Sequence, residues 1–279
     1  MAKVLLHRIN IHVSTCAGSG KTIAAKYAYK RLSSMGVKTI FICYNHLLGN
    51  WLRDELNPES VNGYVGTLYH FACKELGSYW NNPSWTGTSD HAEILFEKLE
   101  SKEADKYKVP EERKFEALII DEGQDFLPYW VRLLSHFMIN NASVLWFKDH
   151  SQNILFDDKY DKELINMGTN IFRELTGKEQ TLINDEPNYR TPQSVNKYME
   201  VFFENYCNTF RNNNIGKSEN KINGFPTKTI FYEKENLLAT LENSINALIA
   251  IGVNKKNIVV VSCLPLDANA SVVIIQTPL

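Results

Sequence analysis

Six residues near the start of the chain, Ala17, Gly18, Ser19, Gly20, Lys21 and Thr22, lie between a strand-like segment at 9–14 and a run of good helix formers from Ile23 onward. That strand–loop–helix order constrains the fold more than any other stretch. Gly18 and Gly20 let the backbone bend so that successive N–H groups point at phosphate oxygens, a turn that bulkier residues hinder. The helix that follows offers free N–H donors and partial positive charge at its N-terminus. Lys21 can then reach the β- and γ-phosphates of a nucleotide, and the Thr22 hydroxyl can ligate magnesium. Such a loop ordinarily opens on Gly, and here Thr15 holds that place. The competing reading is a plain Gly-Ser-Gly turn between a strand and a helix.

A second feature fits the first. Residues 115–120 form an apolar run after Glu111, Glu112, Arg113 and Lys114, and the run ends in Asp121 and Glu122. A largely apolar strand suits the buried middle of a parallel sheet. Ligands of such sheets sit at the carboxyl ends of the strands, where a phosphate loop also lies. Asp121 is therefore expected to hold magnesium, and Glu122 to orient and deprotonate an attacking water. The alternative is that both acids cap the helix starting near Pro128. The two features together predict binding and hydrolysis of ATP.

Strand and helix signals alternate along most of the chain, which predicts an α/β fold with a parallel sheet and helices on both faces. Further strands are expected at 37–44, 61–67, 142–149 and 182–184, the last leading to Asn188, Tyr189 and Arg190. Thr191 and Pro192 open a helix, with Pro at its first position. Residues 78–114 change character and read as an inserted subdomain. A second small α/β unit follows an exposed Asn-rich loop at 208–221, with strands at 228–232 and 257–262, a helix at 234–251 and one more strand at 271–276. The net charge of −2 announces no nucleic-acid partner, so only a local groove could supply the field. Cysteines 16, 43, 73, 207 and 263 lack paired spacing and read as thiols in a reducing compartment. With no signal-peptide pattern and no apolar run of membrane-spanning length, a cytoplasmic protein with no membrane partner is expected.

With these pieces in order, the chain resembles the UvrD/Rep-like superfamily 1 DNA helicases and translocases. Ala17 to Thr22 matches motif I. Tyr44-Asn45-His46-Leu47-Leu48 is similar to motif Ia, and Gly66-Thr67-Leu68-Tyr69-His70-Phe71 to the Thr-Phe-His segment after it. Asp121-Glu122-Gly123-Gln124-Asp125 is similar to the Asp-Glu-Ala-Gln-Asp of motif II. Phe147-Lys148-Asp149-His150-Ser151-Gln152-Asn153-Ile154 resembles motif III, and Asn188-Tyr189-Arg190-Thr191 resembles motif IV. Lys148 stands where motif III usually has Gly, and Tyr69 where His is common. An upstream adenine-reading Gln segment is not evident.

The resemblance implies a P-loop NTPase core of RecA-like fold. Residues 1–77 and 115–190 would form that core, 78–114 the insertion, and 191–279 part of a second lobe. It implies that Gln124 and Gln152 contact the γ-phosphate or its attacking water, and that Arg190 acts as an arginine finger. Tyr189 would stack on adenine. Tyr44, Asn45, Thr67, Tyr69, His70 and Phe71 would line a path for single-stranded DNA; the competing reading for Tyr69, His70 and Phe71 is helix packing. No motif V or VI follows Ser262, so the chain is expected to be the front half of a motor, with slow hydrolysis and a possible second chain supplying the rest. The alternative function is an ATP-gated module that grips nucleic acid or a partner without moving.

Overall fold

The computed structural model describes residues 9–56, 63–77, 97–102, 106–149, 158–185, 187–206, 217–220, 230, 232–262 and 273–276. The chain divides into two compact units, Met1–Pro226 and Thr227–Leu279. The first unit thus continues past residue 190, where the motifs place the end of the core.

The first unit is built on six parallel strands: β1 (Asn10–Thr15), β2 (Thr39–Cys43), β3 (Tyr64–Thr67), β4 (Phe115–Ile120), β5 (Met138–Lys148) and β6 (Thr181–Asp185). Their spatial order is β3-β2-β4-β5-β1-β6. Strand β4 occupies the span the apolar run predicts. The strand expected at 142–149 begins earlier, at Met138, and the weak signal at 61–67 shortens to Tyr64–Thr67.

Side chains alternate across a strand, so an apolar run covers both faces of the sheet. Leu118 and Ile120 of β4 join Ile40, Ile42, Val144 and Trp146 in one buried cluster. That face is covered by α3 (Leu68–Leu76), α4 (Pro128–His136) and α5 (Asp158–Thr176), which bring Phe71, Leu134 and Phe172. Ala117 and Ile119 face the other way, with Phe41, Leu145 and Phe147. There α1 (Lys21–Ser34) and α2 (His46–Leu56) supply Ala25, Tyr29, Leu32 and Leu52. Lys21, Ala25, Tyr29 and Leu32 follow the helical repeat, so one buried stripe carries Lys21 to the end of the sheet.

Of the expected insertion, the described parts lie against the main core. Leu99 is buried, Tyr107 and Val109 pack on the same cluster, and Arg132 Nη2 donates to the Leu99 carbonyl at 3.1 Å. The rest of 78–114 lies outside the described residues. After β6, a short strand β7 (Pro187–Asn188) pairs in parallel with β8 (Lys217–Ser218) around α6 (Gln193–Tyr206). The second unit has α7 (Leu237–Ala250) and an antiparallel pair, β9 (Val259–Ser262) with β10 (Val273–Gln276). The strand expected at 228–232 falls largely outside the described residues. Among the described residues no helix is long and apolar enough to cross a membrane.

One packing contact accounts for the glycine at position 123. Trp146 is fully buried, stacked on His12 at 4.8 Å and edge-on to Phe172 at 5.4 Å. A Cβ at Gly123 would collide with the indole Nε1. The Ala of the resembled motif cannot fit beside this tryptophan. Gly123→Ala should therefore destabilise the fold by about 1–3 kcal/mol, the usual range for overpacking. The check is a urea midpoint that falls at constant slope, with part of the loss recovered when Trp146→Phe is added.

Candidate functional site

The phosphate-loop candidate turns through Gly18 (φ +76°) and Gly20 (φ +96°), both in the left-handed region that favours Gly. Gly18 has a second reason: a Cβ there would strike Asn188 Oδ1. Thr15 needs no such freedom. It ends β1 in register with Asp185, and its hydroxyl lies 2.7 Å from the Ser19 hydroxyl, closing the loop from within. Lys21 is buried. Its Nζ donates to the Thr15 carbonyl at 3.0 Å, the Cys16 carbonyl at 2.8 Å and Asp149 Oδ2 at 3.2 Å. Ala17 and Ser19 are half-buried in the same turn.

Strand β4 delivers Asp121 to the same edge. Asp121 is fully buried, and its Oδ1 accepts the Glu122 N–H at 3.1 Å. Its Oδ2 has no hydrogen-bond partner among the described residues. Burial first, then the charge of Glu122, pushes its pKa from 3.8 up to about 6; the Thr22 side chain, as a hydrogen-bond donor to the carboxyl, pulls the other way. An orphaned, buried carboxylate oxygen beside a hydroxyl is a donor set that fits magnesium. That ion takes one or two protein oxygens and leaves its other positions to phosphates and water.

Glu122 takes a left-handed backbone (φ 54°, ψ 44°), a conformation that costs a non-glycine residue energy and recurs at functional sites. Its Oε2 accepts from Gln124 Nε2 at 2.8 Å, and Gln124 Oε1 accepts the Asp149 N–H at 2.9 Å. Gln124 thus ties the acidic pair to the end of β5, a bond that motif resemblance alone does not describe. Asp125 also titrates high, at about 6, through burial and the charge of Glu122.

The Asn188 segment comes to the loop from far along the chain. The Tyr189 N–H donates to the Gly18 carbonyl at 3.0 Å. Asn188 is buried, and its Oδ1 accepts the N–H groups of Arg190 (3.1 Å) and Thr191 (2.9 Å). Asn220 Nδ2 donates to the Arg190 carbonyl at 3.0 Å and the Ser218 hydroxyl to that of Thr191 at 2.7 Å. Tyr189 (59% exposed) and Arg190 therefore have fixed backbones and free side-chain surface beside the loop. Gln152 lies outside the described residues.

The candidate nucleic-acid residues separate into two groups. Tyr44 is 41% exposed at the end of β2 and stacks on Trp130 at 6.0 Å; burial, then Asp125, raises its hydroxyl pKa. Tyr69 and His70 are half-buried on α3, with His70 stacked on His46 at 5.9 Å. Burial, Arg53 and His46 lower the His70 pKa. Asn45 is exposed, and its Oδ1 caps α2 by accepting the Leu48 N–H at 3.1 Å. Thr67 is buried and caps α3 through the His70 N–H at 3.3 Å. Phe71 is fully buried among Tyr64, Phe115 and Phe137, so it presents no face on which a base could stack. Cys16, Cys43 and Cys73 are buried thiols outside any disulfide; burial and the charge of Asp121 push Cys43 up to about 12, which leaves it inert.

Two residues in this cluster were not assigned roles on sequence grounds. Asp149 was visible only as part of motif III, although an acid at the end of an apolar strand is itself a signal. Asn188 stands in the segment that resembles motif IV, but its role in the turn is not legible there, because its hydrogen bonds depend on the turn it makes.

No protein-family model matches the chain, and no curated protein matches it. Among solved structures it is similar to the DUF1998 helicase MrfA in a crystal structure bound to DNA, at 11% identity and a TM-score of 0.35, over 71% of this chain and 31% of that one. It is also similar to Pif1 helicase from Candida albicans, at 14% identity and a TM-score of 0.40, over 99% of this chain and 61% of the helicase. The chain spans less than two thirds of the length of either.

The raised pKa of Asp121 has a defined sign. The folded protein holds a proton that the unfolded chain releases, so folding stability falls as pH rises from about 4 to about 6 and levels off above. Asp121→Asn removes that loss. In magnesium-free buffer the variant should show a shallower decline in stability between these pH values. Asp125 contributes in the same direction. Thermal denaturation across pH 4–8 is the check, and a variant whose decline is as steep as the parent's refutes the expectation.

Proposed function

We propose that this chain binds ATP with magnesium and hydrolyses it, as the ATPase core of a superfamily 1-type nucleic-acid motor stimulated by single-stranded DNA. One observation carries the reading. Lys21, Thr22, Asp121, Glu122 and Gln124 converge at the carboxyl edge of one parallel sheet, and Tyr189 and Arg190 are pinned to Gly18 of the same loop.

In this reading the loop N–H groups and Lys21 Nζ bind the phosphates, and the position of Lys21 is set by the Thr15 and Cys16 carbonyls. A magnesium ion held by the Thr22 hydroxyl and Asp121 would neutralise charge on the phosphate oxygens. Glu122 receives the proton of the attacking water, oriented by its bond from Gln124. Arg190 meets the charge on the transferring phosphoryl group with its planar fork, and Tyr189 covers the adenine. Tyr44, braced by Trp130, offers a flat face on which a base can stack.

Steady-state ATP hydrolysis with and without single-stranded DNA tests the proposal. The parent chain should turn ATP over and be accelerated by DNA, while Glu122→Gln should lose about a hundredfold or more in rate. Lys21→Ala should abolish nucleotide binding, and unchanged binding would undo the phosphate-loop assignment. Arg190→Ala should lower the rate by roughly a thousandfold with binding spared. Tyr44→Ala should weaken single-stranded DNA binding by about 1–3 kcal/mol and leave ATP affinity alone. Tight ATP binding without turnover in the parent would instead favour an ATP-gated binding module.

A further inference from the structure

Lys21 has three N–H donors, and all three are engaged. Two go to the carbonyls of Thr15 and Cys16, which are held by the loop backbone, and the third goes to Asp149 Oδ2 at 3.2 Å. Both charged side chains are almost completely buried, at 7% and 2% exposure. A buried ion pair of this kind is held because neither partner can be left alone without an uncompensated charge. A carboxylate oxygen is also the nearest chemical equivalent of a phosphate oxygen, being anionic and purely an acceptor. Among the three acceptors on Lys21, Asp149 is the one that belongs to a side chain and can swing away. Its backbone stays anchored when it does, because its N–H donates to Gln124 Oε1 at 2.9 Å, and Gln124 in turn holds Glu122.

We infer that Asp149 is a positioning residue that occupies the phosphate-facing donor of Lys21 in the nucleotide-free protein and yields that donor to a phosphate oxygen on binding. The inference rests on the reading of residues 17–22 as a phosphate loop. It assigns Asp149 two effects. Asp149 keeps Lys21 aligned and neutralised before nucleotide arrives, and it competes with the phosphate for the same N–H, so the observed affinity is lower than the loop alone would give. Its anchor on Gln124 places this exchange one hydrogen bond away from the Glu122 carboxylate.

The test uses the full chain with ADP and adenosine as probes, measured by calorimetry and by thermal denaturation. Asp149→Asn keeps the shape and removes the competing charge. It should lower the melting temperature of the nucleotide-free protein, strengthen ADP binding about tenfold or more, and leave adenosine binding unchanged. The ligand-induced rise in melting temperature should accordingly exceed that of the parent. A purely structural role would lower the melting temperature without this split between ADP and adenosine. ADP affinity that is unchanged or weaker in the variant overturns the inference. If the variant folds only with ADP present, the phosphate is supplying the missing counter-charge, as expected; if it unfolds with and without ADP, the inference fails. Lys21→Ala separates the two levels: should it bind ADP like the parent, the phosphate-loop reading itself is wrong, whereas loss of ADP binding there with no gain in Asp149→Asn removes only the role of Asp149.

Discussion

Strand β5 pairs in parallel with β1 from Asn10↔Val144 to Ser14↔Lys148 and with β4 through Leu118↔Val144, Ile119↔Leu145 and Ile120↔Trp146. This places one strand between the strand that feeds the Gly-rich loop and the strand that ends in the acidic pair. Neighbouring strands lie about 5 Å apart, so Thr15 and Asp121 end roughly 10 Å from each other across the sheet. The end of β5 faces into that gap from the middle. Asp149 can touch Lys21 on one side and Gln124 on the other because of this order of strands.

The edge so formed is expensive to fold. Lys21, Asp121 and Asp149 are buried charged groups, Glu122 sits in a left-handed conformation, and the two acids Asp121 and Asp125 titrate well above their ordinary range. Desolvating these groups and holding Glu122 in that conformation cost the fold energy. Such concentration of perturbed groups is characteristic of sites arranged for a ligand and not of packing for its own sake. The two apolar layers on either side of β4 and β5 supply the burial that offsets it.

Around this centre, short polar residues serve the backbone. Asn45 and Thr67 close the first turns of α2 and α3, each satisfying a helix N–H that would otherwise lack a partner. Asn188 holds a tight turn through two N–H groups and so fixes Tyr189 and Arg190 against Gly18. Thr67 and Asn188 use their side chains inside the fold, whereas Tyr44 and Arg190 present theirs to solvent.

Local chemistry already specified much of this in the sequence. The apolar run at 115–120 suits a strand buried on both faces, and it forms one; the positive φ at Gly18 and Gly20 follows from a loop that turns between a strand and a helix. The α/β class, the Gly-rich turn before Lys21 and the strand ending in Asp121 and Glu122 were legible for the same reason: each depends on residues adjacent in the chain and on a repeat of two or 3.6. Other features depend on contacts between distant segments, and no spacing encodes them. The clash of Gly123 with Trp146, the burial of Phe71 and the bond from Tyr189 to Gly18 arise only when strands take their lateral order. The same holds for the third hydrogen bond of Lys21, whose acceptor lies 128 residues away. The sequence by itself determined the Gly-rich turn, the apolar strand and the acids that end it. Tertiary structure decided which of them meet, because hydrogen-bond donors and buried charges must find partners across the sheet and not along the chain.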